Sequence, residues 1–145
     1  MSGKLALILH AHLPFVRHPE HDEFFEEDWL FEAITETYIP LVAMMQRLVA
    51  DGVPFKLTMS LTPTLCAMLQ DELLQARYVR HLDALIDLAR REIERNSEHA
   101  ELRKLAQFYC DWFAETRRRF VEEWRRDLVA VFRQLRDAGA LEIIG

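Results

Sequence analysis

The sequence predicts an α/β fold in which three short parallel strands sit among extensive helix, forming the front part of a larger barrel. Apolar runs too short for helices stand at Leu5 to Leu9, Phe55 to Ser60 and Leu141 to Ile144. The first and last are nearly continuous in apolar residues, as in strands buried on both faces of a parallel sheet. All five prolines, Pro14, Pro19, Pro40, Pro54 and Pro63, precede Thr64, and neither proline nor glycine occurs between Thr64 and Ala138. That stretch is rich in Leu, Ala, Glu, Gln and Arg, so residues of about 64 to 138 should be almost entirely helical. The resulting order of strand, helix, strand, helices, strand suits right-handed crossovers. Because the third strand reaches Ile144 with no helix after it, the sheet needs cover from elsewhere.

The first strand leads into a polar loop and then a helix over Asp28 to Asp51. Leu30, Phe31, Ile34, Tyr38, Leu41, Met45, Leu48 and Val49 fall on one face, and Gly52 is placed to stop it. Pro40 should kink or split this helix, since it lacks an N–H and its ring collides with the preceding turn. After the second strand, Thr62 is set to cap a helix that begins at Pro63. From Ser97 onward Leu102, Leu105, Tyr109, Trp112, Phe113, Phe120, Trp124, Leu128, Val131 and Leu135 recur at three to four residues, which predicts one long amphipathic helix. Glu98 and Glu101 at its start, Arg133 and Arg136 at its end, and Gly139 beyond agree with the macrodipole. The small turn Gly139-Ala140 then opens the third strand.

Composition removes several classes of function. With 145 residues, 50% hydrophobic and 29% charged, the chain can bury a core and is neither disordered nor collagenous. A net charge of −6 argues against a phosphate-backbone binder or an anionic membrane surface, so no nucleic-acid or membrane partner is expected. The apolar run after Lys4 is too short for a signal peptide or a membrane span and is interrupted by His10. Cys66 and Cys110 lie in no metal-ligand spacing and read as reduced thiols, which points to a cytoplasmic protein.

The sharpest local feature is His10-Ala11-His12 at the carboxyl end of the first strand. In parallel α/β folds ligands bind at that rim, and residues at i and i+2 of an extended segment share one side. Three readings follow: binding of substrate hydroxyls, metal ligation as in a metal-dependent barrel hydrolase, or two histidines that merely cap the strand. His81 and His99 offer no carboxylate spacing that completes a zinc site. Eight acids, Glu20, Asp22, Glu23, Glu26, Glu27, Asp28, Glu32 and Glu36, occur with no Lys or Arg between Arg17 and Arg47. This reads as a solvated helix face plus an acidic loop. Trp29 lies among them, readable either as a core residue or as an aromatic ring beside carboxylates that suits the apolar face of a sugar. Ser60-Leu61-Thr62-Pro63-Thr64-Leu65 lies on the histidine rim if the sheet is parallel. Arg117, Arg118, Arg119, Arg125 and Arg126 alternate with acids and read as helix-face ion pairs. A non-enzymatic alternative is a helical interaction module whose sheet is completed by a partner chain.

Four blocks together resemble the start of glycoside hydrolase family 57. They are His10-Ala11-His12-Leu13-Pro14-Phe15-Val16-Arg17-His18-Pro19-Glu20, the stretch from Glu26 through Trp29 to Leu41, Ser60 to Leu65, and Leu141 to Ile144. The His-Ala-His-Leu-Pro form is similar to the 1,4-α-glucan branching enzyme group, with Phe15 where that group more usually has Tyr. The His-x-His pair taken alone also resembles the amidohydrolase superfamily, which is the concrete form of the metal reading.

The family 57 resemblance implies a distorted (β/α)7 barrel of which residues 1–145 are the N-terminal portion. It implies retaining cleavage of α-1,4-glucosidic bonds and transfer to a 6-hydroxyl, with an α-glucan as substrate and no metal or organic cofactor. Retention needs two carboxyl groups about 5 to 5.5 Å apart. In the family these come from blocks beyond the first strands, so no residue here is expected to be catalytic and the 145 residues alone are expected to be inactive. His10 and His12 are implied to line the glucose subsite beside the cleaved bond, with Trp29 near the cleft. The rest of the barrel would come in cis or from a second chain.

Overall fold

The computed structural model describes Gly3 and residues 5–144; Met1, Ser2, Lys4 and Gly145 lie outside the described residues. Three strands, β1 (Ile8–Ala11), β2 (Leu57–Leu61) and β3 (Leu141–Ile144), form a sheet of order β1-β2-β3. Both pairings are parallel, with His10 opposite Ser60 and Ser60 opposite Ile144. The first strand therefore runs about three residues later than its apolar signal at Leu5 to Leu9. Pairing decides this: Thr58 N–H reaches Leu7 O at 3.2 Å and the ladder continues to Ala11 opposite Leu61. His10 thus lies within β1 and His12 just past it. The second strand likewise starts and ends later than the expected Phe55 to Ser60.

The chain divides into two compact units, one made of the residues up to Asp71 together with those from Asp127, the other of Glu72–Arg126. The first unit contains the sheet. Its leading helical segment is split, as Pro40 predicts, into α1 (Glu27–Glu32), a π-helical stretch over Ala33–Tyr38, and α2 (Ile39–Ala50). The wide turn is closed by Ile39 N–H on Ile34 O, five residues back, so the missing Pro40 donor falls where the ladder is already re-phased. Gly52, at φ +68°, and Gly139, at φ +76°, end α2 and the last helix, α6 (Leu128–Asp137), with left-handed turns in which Val53 N–H bonds Leu48 O and Ala140 N–H bonds Leu135 O. α3 (Pro63–Gln70) carries the expected cap, Leu65 N–H donating to Thr62 Oγ1 at 3.4 Å.

α6 (Leu128–Asp137) packs on β3, and α2 and α3 pack on α6. Leu30, Val42, Met45, Leu65, Leu128 and Phe132 are fully buried, with Tyr38 meeting Phe132 edge-on at 6.4 Å. Each such side chain contributes roughly 1.5 to 3 kcal/mol by leaving water.

In the second unit α4 (Glu72–Arg95) and α5 (Ala100–Arg118) form a helical hairpin, joined by a turn in which Asn96 Nδ2 donates to Glu92 O at 2.8 Å. Tyr78 meets Phe120 edge-on at 4.9 Å. The single helix expected from Ser97 onward is here corrected. It starts at Ala100, opens into a π-helical stretch over Arg119–Glu123, and breaks before α6 at Arg125 and Arg126, both at positive φ. The break is hidden because Phe120, Trp124 and Leu128 keep helical spacing across it. Asp127 restarts the helix by accepting from Ala130 N–H at 2.8 Å.

Candidate functional site

Strand register sorts the sheet into two faces. Ala11, Met59, Leu61 and Leu141 point to one side and are buried. Ile8 and His10, Thr58 and Ser60, and Glu142 and Ile144 share the other side, since residues two apart on a strand and partners across a parallel ladder point the same way. That second face is open: Ile8 is 66% and Ile144 45% exposed. Among the described residues burial is thus confined to the first face, in keeping with a sheet that needs cover from elsewhere.

On the open face His10 Nδ1 lies 2.6 Å from Ser60 Oγ, and the rings of His10 and His12 are 5.9 Å apart at a tilt of 31°. The pair foreseen from i, i+2 spacing is thus brought together at the carboxyl rim. Thr58 Oγ1 donates to Glu142 Oε2 at 2.9 Å one rung below. Neither rung was foreseen. The sequence alone sets Ser60 on the rim, but only register puts it beside His10, and Thr58 and Glu142 belong to no motif.

The loop after β1 is organised by contacts that sequence alone does not display. His18 Nδ1 lies 3.2 Å from Glu20 Oε1 and its Nε2 3.3 Å from Glu26 Oε2, while its ring stacks on Phe24 at 3.7 Å. The backbone N–H of His18 donates to Glu27 Oε1 at 3.2 Å, and Glu27 is only 1% exposed. Hydrogen bonding to its own backbone first, and to His18 second, holds the Glu20 carboxyl below its ordinary value. Arg17 Nε donates to Asp71 Oδ2 at 2.6 Å and Val16 N–H to Met68 Sδ at 3.4 Å, tying the loop to the end of α3. Part of the acidic run is thus a loop clamp, while Glu23, Glu32 and Glu36 are exposed.

Trp29, on α1, is 45% exposed and has no ring contact with either histidine among the described residues. Among those residues no group of three or more His, Cys, Asp or Glu is placed to hold a metal, so His10 and His12 would need ligands from elsewhere to do so. Cys66 and Cys110 are free thiols, and burial pushes the Cys66 thiol up. The arginine cluster forms ion pairs: Arg118 with Glu115 and Glu123, Arg119 with Glu115, and Arg117 with Asp83 of α4. Hydrogen bonds from Arg118, then Arg119, hold the Glu115 carboxyl down at about 2. No helix of the described residues is long and apolar enough to cross a membrane.

Residues 6–145 match the family model of Glycosyl hydrolase family 57. A 1,4-alpha-glucan branching enzyme of Thermococcus kodakarensis is 31% identical over 99% of this chain, which spans 21% of that protein. Among solved structures, an alpha-amylase from Thermotoga maritima is similar with a TM-score of 0.91 and 46% identity. A branching enzyme of the same family from Pyrococcus horikoshii gives 0.91 and 32%. Each match covers 99% of this chain and 27% of the solved one. The chain thus spans between a fifth and a third of the relatives it resembles.

Proposed function

The chain belongs to glycosyl hydrolase family 57, and we propose that it supplies the first three strands of an α-glucan-acting barrel and the sugar-binding wall at their carboxyl rim. One observation carries this reading: His10, Ser60 and, just beyond the strand, His12 gather at the carboxyl rim of the sheet, on the face opposite its buried side chains. An imidazole offers one donor and one acceptor at neutral charge, which matches sugar hydroxyls. His10 and His12 bind and orient the glucose unit beside the bond to be broken. Trp29 contributes a ring toward the glucan.

The reaction is retaining transfer, α-1,4 cleavage followed by α-1,6 branch formation on a glycogen-type polysaccharide in the cytoplasm. The likeness to branching enzymes over almost the whole chain supports it. No carboxylate of this chain stands as nucleophile or acid, so residues 1–145 bind and position glucan but do not cleave it. The remaining barrel strands come in cis or from a second chain. Hydrolysis is a second reading, favoured by the 46% identity to an alpha-amylase.

The test incubates the full-length protein with amylose and follows both new α-1,6 linkages and new reducing ends. Branches forming faster than reducing ends support transfer; reducing ends alone assign hydrolysis. The 145-residue chain by itself should produce neither, and either product from it would overturn the division of labour.

A further inference from the structure

We propose that Ser60 is a positioning residue for His10. Its hydroxyl donates to Nδ1 and fixes the imidazole as the tautomer protonated on Nε2, which then presents a hydrogen-bond donor to an oxygen of the bound glucan. The proposal rests on the reading of His10 as a sugar contact.

The geometry supports the pairing at three levels. His10 and Ser60 are register partners on neighbouring parallel strands, so the backbone ladder holds their side chains side by side on the open face. The 2.6 Å separation between Oγ and Nδ1 is short, as suits a hydroxyl hydrogen bond. Competition for either group is weak. Ile144, the partner of Ser60 on β3, is apolar, and Thr58, one rung below, already donates to Glu142.

Direction follows from chemistry. A neutral imidazole has one N–H and one bare nitrogen, and whichever nitrogen accepts leaves the proton on the other. The serine hydroxyl can rotate to donate, and the bare sp² nitrogen is the stronger acceptor of the two groups. With Nδ1 occupied in this way, Nε2–H points away from Ser60. That donor can meet a sugar hydroxyl, a ring oxygen or a glycosidic oxygen, whereas the opposite tautomer could meet hydroxyls alone. The same bond limits rotation of the ring, which keeps His10 at its tilted separation of 5.9 Å from His12.

The experiment uses the full-length protein with maltoheptaose as probe, measuring affinity by calorimetry and the His10 ring nitrogens by 15N NMR. In the unsubstituted protein Nε2 should resonate as a protonated nitrogen and Nδ1 as a bare acceptor. Ser60→Ala should weaken binding about fivefold, the scale of one neutral hydrogen bond, and shift the His10 ring nitrogens toward a tautomer mixture. Ser60→Thr, which keeps the hydroxyl on a strand-favouring residue, should stay within about twofold. A proton on Nδ1 in the unsubstituted protein overturns the inference, and that spectrum needs no variant to fold. So does a Ser60→Ala protein with unchanged affinity and unchanged ring resonances while His10→Ala binds weakly. If His10→Ala itself leaves the affinity unchanged, the sugar-contact reading beneath it falls.

Discussion

The sugar-binding roles proposed for His10 and His12 rest on a strand that points alternate side chains to one face and on a parallel sheet that gathers strand ends at one rim. On that proposal, replacing either by Ala should weaken maltoheptaose binding by about five- to tenfold, the scale of one hydrogen bond, read by calorimetry. Affinity unchanged from the unsubstituted protein in both variants would show that the glucan lies elsewhere. At this scale the sequence was informative where chemistry is local. The i, i+2 histidines and the Thr62 cap depend on neighbours in the chain, and both were legible. The Ser60 contact depends on register between strands 50 residues apart, which no local pattern specifies. The His18 clamp drew its partners from an acidic run that composition could describe only as charge.

The helical elements show what periodicity reveals and what it conceals. Pro40 announced its own disturbance. The break at Arg125 and Arg126 used neither glycine nor proline and preserved apolar spacing on both sides, so only the Asp127 cap marked it. Non-glycine residues at left-handed φ carry a steric cost of roughly 1 to 2 kcal/mol. Arg126→Gly should therefore raise stability by about 0.5 to 1 kcal/mol after the added freedom of the unfolded chain is set against it, measured by urea unfolding. Asp127→Ala should lower it by about 1 kcal/mol through loss of the cap.

Glu115 gives the ion cluster on α5 a defined pH dependence. Its carboxyl sits at about 2 in the fold against an ordinary 4.5, so its contribution is complete above about 4.5 and disappears as pH falls toward 2. Because the pair is solvent-exposed the effect is small and weakened by salt. The Tm difference between the unsubstituted protein and Glu115→Gln should be small and positive near neutrality and shrink to nothing toward pH 2. A difference that stays constant over that range would remove the ion pairs as its cause.

At the largest scale, the central feature is a parallel sheet with its buried side chains on one face and His10, Ser60 and Glu142 on the other. Alternating strands and helices made the fold class legible, and short apolar strands made the sheet legible. A run such as Leu-Ile-Leu looks the same whether its outer side is covered or not, so which side chains share the buried face had to come from strand register. The exposed Ile8 and Ile144 flank His10 and Ser60, giving a surface that mixes apolar and polar groups as a sugar-binding wall does. The most direct measurement is a crystal structure of the full-length protein with bound maltoheptaose. The account predicts a glucose unit over the open face of β1 and β2, with one oxygen within hydrogen-bond distance of His10 Nε2 and another of His12. A glucan bound only on the helical hairpin, or on the sheet but out of reach of both imidazoles, would contradict it.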